Sequence, residues 1–171
     1  MAHGPAYPGR RRSRPEASVA LPGRLLKRLL IGFWAVYLSL VALTNLVNLL
    51  DAFGVVHWTL LNSGNFAYLR SVVRVYEIGP FLTKALLSGA VLVETAGAAL
   101  AWRAVRSGDG NHAMEALCGV AAIWLAFIFM TEVFVAYSSE PVFRELLLLT
   151  MTTAICIGVC PDRVTWERSA Q

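Results

Sequence analysis

The chain has 171 residues, of which 57% are hydrophobic and only 15% are charged, and its mean hydropathy is +0.58. Soluble domains usually carry about 25% charged and 45–50% apolar residues, so the composition argues against a soluble globular protein. The net charge of +4 suits an anionic partner only if the positive charge is concentrated somewhere along the chain.

The positive charge is concentrated at the N-terminus. Residues 1–28 hold seven basic residues and one acidic residue, whereas the other 143 residues carry eight basic and ten acidic residues, a net charge of −2. The N-terminal segment is also rich in proline and glycine and cannot bury enough apolar surface to fold. We therefore predict a disordered basic tail that anchors the topology. Anionic lipid is a further candidate partner for its bases, and nothing beyond charge supports nucleic-acid binding.

Four apolar runs follow the tail, and each is close to the roughly 20 residues that a helix needs to cross a hydrocarbon core about 30 Å thick. The runs cover about 29–50, 81–102, 114–137 and 142–160. We predict an all-α, polytopic membrane protein: a four-helix transmembrane bundle over 29–161, followed by a short tail over 162–171.

The link between the first two runs, residues 51–80, is long, and long links in compact proteins usually carry structure or function. Apolar and aromatic residues recur within it at helical spacing, namely Phe66, Leu69, Val73 and Tyr76. We predict a short helix over about 65–76 at the outer membrane interface. The alternative is a loop packed over the bundle.

The distribution of basic residues predicts the orientation, because Lys and Arg next to spans are retained on the cytoplasmic side. With the N-terminus inside, 11 basic residues fall on the cytoplasmic side and four on the outer side. Both termini are therefore expected in the cytoplasm. We assign aromatic residues such as Trp34 and Tyr37 to the membrane interfaces.

Polar side chains within a span are costly in lipid and are candidates for function. Those within the four runs or at their ends are Asn45, Asn48, Lys84, Glu94, Glu132, Arg144 and Glu145. Lys84 lies about 12 Å and Glu132 about 10 Å outward of the centres of their runs, so these groups gather in the outer half of the bundle. Glu94 shares a helix face with small residues, which favours contact with a neighbouring helix, and Glu132 also lies on a face that can turn inward.

Two interpretations of these polar residues stay open. In the first, Lys84 and Arg144 neutralise the carboxylates in a buried ion-pair network that fixes helix register. In the second, the residues line a polar cavity, open to the outside, that binds a proton, a cation or a small polar ligand. Lys84 lies about 15 Å from Glu94 along the helix axis, too far for a direct ion pair. Of the polar residues, Glu94 is therefore the one that ion pairing accounts for least well.

The sequence carries no motif typical of an enzyme or a cofactor site. It has no P-loop, no dinucleotide-binding motif, no H-E-x-x-H and no G-x-S-x-G, and no histidine lies within a span to hold haem. We interpret Cys118, Cys156 and Cys160 as small apolar residues at inner helix ends, where a disulfide is disfavoured, with redox sensing or lipidation of Cys160 as the alternative. We therefore expect no cofactor and no metal site, and an enzyme ranks third among the functions.

The spacing of the polar residues resembles the bacterial "predicted small integral membrane protein" family, a family of unknown function with four transmembrane helices. The resemblance runs from about 31 to 157 and is carried by Asn45-Leu-Val-Asn48-Leu-Leu-Asp51, Asn65-Phe-Ala-Tyr-Leu-Arg70, Lys84, Glu94, Glu132 and Phe143-Arg144. Residues 55–64 look like an insertion, and Ser71 and Val133 stand where the family pattern has His and Trp. The resemblance implies a four-span protein of the inner membrane and no particular activity, and it adds Asp51, Asn65 and Arg70 to the candidate residues.

Two functions follow as hypotheses. The first is a structural or accessory membrane protein that assembles with itself or with a larger membrane partner, since four helices with short loops enclose little volume for a transport cycle. The second is a transporter or channel element for protons, cations or small polar solutes that uses Glu94 and Glu132.

Overall fold

The computed structural model of the protein describes residues 20–77 and 79–159. This part of the chain is all-α. Its helices are α1 (Ala20–Ala52), α2 (Asn65–Val73), α3 (Pro80–Ser107), α4 (Gly110–Val133) and α5 (Glu140–Val159), and a 3-10 turn at Arg74–Tyr76 continues α2. All of them except α2 are long and apolar enough to cross a membrane. The prediction of a four-helix transmembrane bundle with a short helix between its first two spans is therefore confirmed.

The first helix begins well before the first predicted span. It starts at Ala20, with Pro22 in its first turn, where a missing backbone N–H is tolerated, and it continues through Arg24 and Arg28 into the apolar run. Residues 20–28 of the predicted disordered tail are therefore helical. The rest of that tail, Cys160 and the predicted tail over 162–171 lie outside the described residues.

The four long helices are packed in chain order. α1 packs on α3, α3 on α4 and α4 on α5, whereas α1 and α5 meet only over a short stretch. Successive long helices are antiparallel: Trp102 near the end of α3 donates to Ser39 of α1 at 3.1 Å, and Arg103 of α3 pairs with Glu115 near the start of α4. The start of α1 and the end of α5 therefore lie at the same end of the bundle.

The half of the bundle nearest the start of α1, which we call the packed half, is built around Trp34, Ala101 and Leu117, all of them buried. Small residues let helices approach closely in lipid, and at Gly97 an added Cβ would lie only 2.8 Å from the Ile123 side chain. The Trp34 indole donates to the Thr153 hydroxyl at 3.2 Å, which ties α1 to α5. Trp34 is thus fully buried, in contrast to the interfacial position expected from the sequence.

The other half, which we call the cavity half, contains a loop that folds back along α1. Asn62 donates to Asp51 and Asn48 donates to Ser63, at 3.1 and 3.0 Å. Gly64 then turns the chain into α2 with a φ of 73°, a left-handed conformation that favours glycine. The loop therefore returns the start of α2 to the level of Asn45, inside the end of the bundle.

Candidate functional site

A buried carboxylate lies at the middle of α3. Glu94 is 14 residues from Pro80 and 13 from Ser107, about 20 Å from each helix end, and only 1% of its surface is exposed. The Asn45 side-chain amide donates to both carboxylate oxygens, at 2.9 and 2.8 Å. No basic side chain within residues 20–77 and 79–159 forms an ion pair with it. Glu94 is therefore held by an amide and not by a counter-ion.

Asn45 connects this carboxylate to the start of α2. The amide of Asn65, the first residue of α2, donates to the Asn45 side-chain oxygen. The N-terminus of α2 thus lies two hydrogen bonds from Glu94, and the positive end of a helix dipole favours nearby negative charge. Residues from α1, α2 and α3 meet in this cluster, which brings together three residues that the sequence had marked separately.

The cluster of Asn45, Asn65 and Glu94 forms part of the wall of a cavity between the five helices. The cavity has a volume of about 310 Å³, within the range of small-molecule sites. Aromatic residues supply much of the remaining wall, namely Tyr37, Tyr68, Trp124, Phe127, Phe134 and Phe143. One side of the cavity is therefore polar and acidic, and the rest is largely aromatic and aliphatic.

Trp124 adds a polar group to the aromatic part of this wall. Its ring lies 6.3 Å from that of Tyr37 and stacks on Phe143 at 6.5 Å between ring centroids. The residue is buried, and its indole N–H has no hydrogen-bond partner in the described part of the chain. A buried donor without an acceptor is costly, so the indole is a candidate contact for a ligand that carries an acceptor.

α2 covers the cavity and is fixed at both of its ends. Asn65 anchors its start, and after the 3-10 turn the Tyr76 hydroxyl donates to the Val133 carbonyl at 2.7 Å, at the end of α4. Tyr68 and Leu69 of α2 face the cavity. The short helix between the first two spans therefore completes the site.

Three other predicted residues support the loop that leads to α2. Asn48 and Asp51 bond to it as described above, and Asp51 also contacts His57 Nδ1 at 2.8 Å. Lys84 Nζ lies 4.6 Å from the centroid of the Phe53 ring, a cation–π contact. None of the three lines the cavity. Their contacts are with the loop between α1 and α2.

Glu132 lies outside the cavity and is exposed. The predicted span continued to residue 137, but α4 ends at Val133, and Val135 adopts a left-handed φ of 53°. Glu132 is therefore the penultimate residue of α4, and a depth counted from the centre of the longer run placed it too far inside. On the same face of α4, Cys118 and Leu125 are exposed as well, and Ala121 and Ile128 are half-buried.

The predicted ion-pair network is not seen among the described residues. Arg144 is exposed and pairs with Glu140 on its own helix at 3.2 Å. Glu145 of α5 and Arg70 of α2 are also exposed and away from the cavity wall. The basic residues expected to neutralise the buried carboxylate therefore lie elsewhere.

The aromatic wall of the cavity was missed at the sequence level. A signal for it was present, because Trp124, Phe127 and Thr131 share one face of α4 at spacings of three and four residues, and Phe134 follows three residues later, directly after the helix. On α1, Tyr37, Val41 and Asn45 recur in the same way. Periodicity places such residues on one face but leaves open whether that face packs tightly or lines a cavity.

The fold and the site define a polytopic four-helix membrane bundle with an acidic, aromatic cavity between its helices. No family model matches the chain, and neither a curated protein nor a solved structure matches it. The resemblance to the small integral membrane protein family therefore stays a prediction.

Proposed function

We propose that this membrane protein binds a small organic cation, a protonated or quaternary amine, in the cavity beside Glu94. The proposal narrows the transporter hypothesis to one of its two carboxylates, since Glu132 lies outside the cavity. The observation that carries it is a buried carboxylate without a basic partner in the described part of the chain, set in a wall of aromatic rings.

The chemistry of the wall favours a cation over a neutral solute. A carboxylate removed from water is destabilised unless it is paired, and a bound cation supplies the missing charge. Aromatic faces attract ammonium groups, most strongly where water is excluded. The indole N–H of Trp124 favours a ligand that also has a hydrogen-bond acceptor.

Binding is tested by the thermal stability of the full-length protein in detergent, with benzyltrimethylammonium as the probe. Its neutral isostere neopentylbenzene is the ligand control, and Glu132→Gln is the matched protein control for Glu94→Gln. A probe at 100 times its Kd should raise Tm by roughly 5–10 °C in the wild type and in Glu132→Gln. The cation should have no effect on Glu94→Gln.

Two results would contradict the proposal. One is an equal effect of the cation and its neutral isostere, because the carboxylate would then play no part in recognition. The other is an unchanged response of Glu94→Gln. A panel that also contains primary amines with a hydroxyl or carbonyl group tests the role assigned to Trp124.

Transport is a separate step, measured as uptake of the radiolabelled cation into proteoliposomes. If the wild type takes up the cation and Glu94→Gln does not, the protein transports the cation as well as binding it. The alternative function is the accessory component that assembles with itself or with a larger membrane partner. It predicts no cation response and no uptake, together with reduced stability or partner co-purification in Glu94→Gln.

We also propose that the protein belongs to the inner membrane with both termini in the cytoplasm. The excess of basic residues on one side supports this orientation, with 11 against four, and so does the common end of the bundle shared by the start of α1 and the end of α5. A reporter fused after Gln171 should read as cytoplasmic. A periplasmic signal would contradict the orientation.

A further inference from the structure

A second cavity, of about 260 Å³, lies at the end of the packed half, where the start of α1 meets the turn between α3 and α4. Its wall is basic. Arg24, Lys27 and Arg28 come from α1, and Asp109 in the turn is the acidic residue among those that line it. Asp109 also accepts a hydrogen bond from the Asn111 backbone N–H at the start of α4. The pocket, which we call the basic pocket, therefore favours an anion.

An apolar groove of about 400 Å³ runs along the outer face of α1 from the same level. Phe33, Val36, Leu40 and Trp102 line it, and Gly32 leaves room in it, because an added Cβ there would meet no atom within 4 Å. From residue 28 to residue 40 the helix rises about 18 Å, slightly more than half of a hydrocarbon core about 30 Å thick. The groove therefore matches the depth of one leaflet.

Arg28 belongs to both the basic pocket and the groove. Its guanidinium lies against Gly108 in the turn after α3, where an added Cβ would come within 3.2 Å of Nη2. Gly108 also has a φ of 64°, which favours glycine. The turn thus leaves space for the arginine, and the arginine joins a charged pocket to an apolar channel.

We propose that one anionic phospholipid occupies both features, with its phosphate in the basic pocket and an acyl chain in the groove. The guanidinium groups of Arg24 and Arg28 match phosphate geometry and favour a negative headgroup. Basic pockets between transmembrane helices at one membrane surface are suited to such headgroups. The apolar groove favours a lipid over free phosphate, which has no chain to fill it. The site is separate from the Glu94 cavity and does not depend on the function proposed there.

The headgroup is tested by native mass spectrometry of the full-length protein with equimolar phosphatidylglycerol and phosphatidylcholine of the same chain length. Phosphatidylglycerol should be retained at least tenfold more. Arg28→Gln should lower its retention roughly fivefold, as expected for the loss of one base near the surface. Arg103→Gln is the matched control, because Arg103 lies towards the same end of the bundle but pairs with Glu115 outside the pocket.

The groove is tested by Gly32→Leu, which should lower the retention of phosphatidylglycerol several-fold. Gly89→Leu is its control, since a Cβ at Gly89 on α3 also meets no atom within 4 Å and Gly89 lies outside the groove. Far-ultraviolet circular dichroism and Tm confirm that both variants are folded. Equal retention in Gly32→Leu and Gly89→Leu would overturn the assignment of the acyl chain.

Two further arms separate the lipid site from other anion binding. A variant with Arg10, Arg11, Arg12 and Arg14 all changed to Gln should keep its preference for phosphatidylglycerol. Loss of that preference would assign it to the N-terminal segment and overturn the proposal. Inorganic phosphate at millimolar concentration should fail to displace the lipid, and full displacement would identify a site for a soluble anion instead.

Discussion

The packed half and the cavity half of the bundle use the same four long helices but different side chains. In the packed half, α3 presents small residues such as Gly97 and Ala101 to its neighbours, and Trp34 closes the space between α1 and α5. In the cavity half the helices present large aromatic residues such as Phe127 and Phe143, together with a carboxylate. The helices therefore pack closely around Trp34 in one half and surround the Glu94 cavity in the other.

The contrast shows how stability and function are divided within a small membrane protein. Lipid tails are as apolar as a protein interior, so helices associate through close contact and hydrogen bonds rather than through the hydrophobic effect. The packed half has this close contact and should supply most of the stability. The cavity half buries a carboxylate, and burying a charge costs free energy rather than stabilising the fold. It is also the half in which a ligand can bind.

The largest expected effect is the loss of Trp34 from the packed half. Trp34→Ala should lower the free energy of unfolding by about 3–5 kcal/mol, because it removes a large buried ring and leaves a cavity. Phe33→Ala, on the exposed face of the same turn, should cost less than about 1 kcal/mol. Reversible unfolding in mixed micelles measures both, and equal losses would remove the distinction between the two faces of α1.

In the cavity half, Asn45→Ala should cost about 2–3 kcal/mol, because it leaves both Glu94 and Asn65 without their partner. The double variant Asn45→Leu/Glu94→Leu should recover the part of this loss that comes from Glu94, since replacing both polar partners by apolar groups is close to neutral, whereas Asn65 still lacks its partner. Unfolding of Asn45→Leu, of Glu94→Leu and of the double variant completes the cycle. Additive losses would show that the two residues do not act as a pair.

Gly97 tests the close helix contacts of the packed half. Gly97→Ala should destabilise the protein by about 1 kcal/mol, because the new Cβ presses against Ile123 and Leu38 and the packed helices must shift. Gly89→Ala, in open space on the same helix, should stabilise it by up to about 1 kcal/mol through helix propensity. Effects of the same sign in the two unfolding measurements would contradict the close packing at Gly97.

The smallest expected effect is at Arg144. Arg144→Gln should change the free energy of unfolding by less than about 0.5 kcal/mol, because its pair with Glu140 is exposed and local. A loss above about 2 kcal/mol would instead support a buried ion-pair network in the cavity half. The same titration in mixed micelles separates these outcomes.

Part of the site could be predicted from the sequence. Glu94 stands out because a carboxylate is costly at the centre of an apolar run. Asn45 stands out for the same reason, since its polar amide lies within the first apolar run. Asn65 was marked by the resemblance and by the helical spacing that follows it. Their partnership was not predicted, because hydrogen bonds between α1, α2 and α3 depend on how the loop over 53–64 folds back.

The depth assigned to Glu132 shows where counting along the chain fails. Hydropathy does not register the backbone turn that ends α4 at Val133. The predicted span was therefore extended to residue 137, and its centre was placed too close to Glu132. Two aromatic residues that were assigned to the membrane interface lie inside the bundle instead. Trp34 and Tyr37 fit an interfacial position by residue type, but their surroundings in the bundle make one a core residue and the other part of a cavity wall.

The number of spans, the short helix between the first two and the excess of positive charge in residues 1–28 could be read from the sequence, because these depend on local composition and on residues a few positions apart. The sequence did not reveal that Glu94 pairs with Asn45, that aromatic residues enclose a cavity beside them, or that Arg28 joins a basic pocket to an apolar groove. These features depend on the separation of helices whose contacting residues are far apart in the chain, and no periodic pattern records that separation.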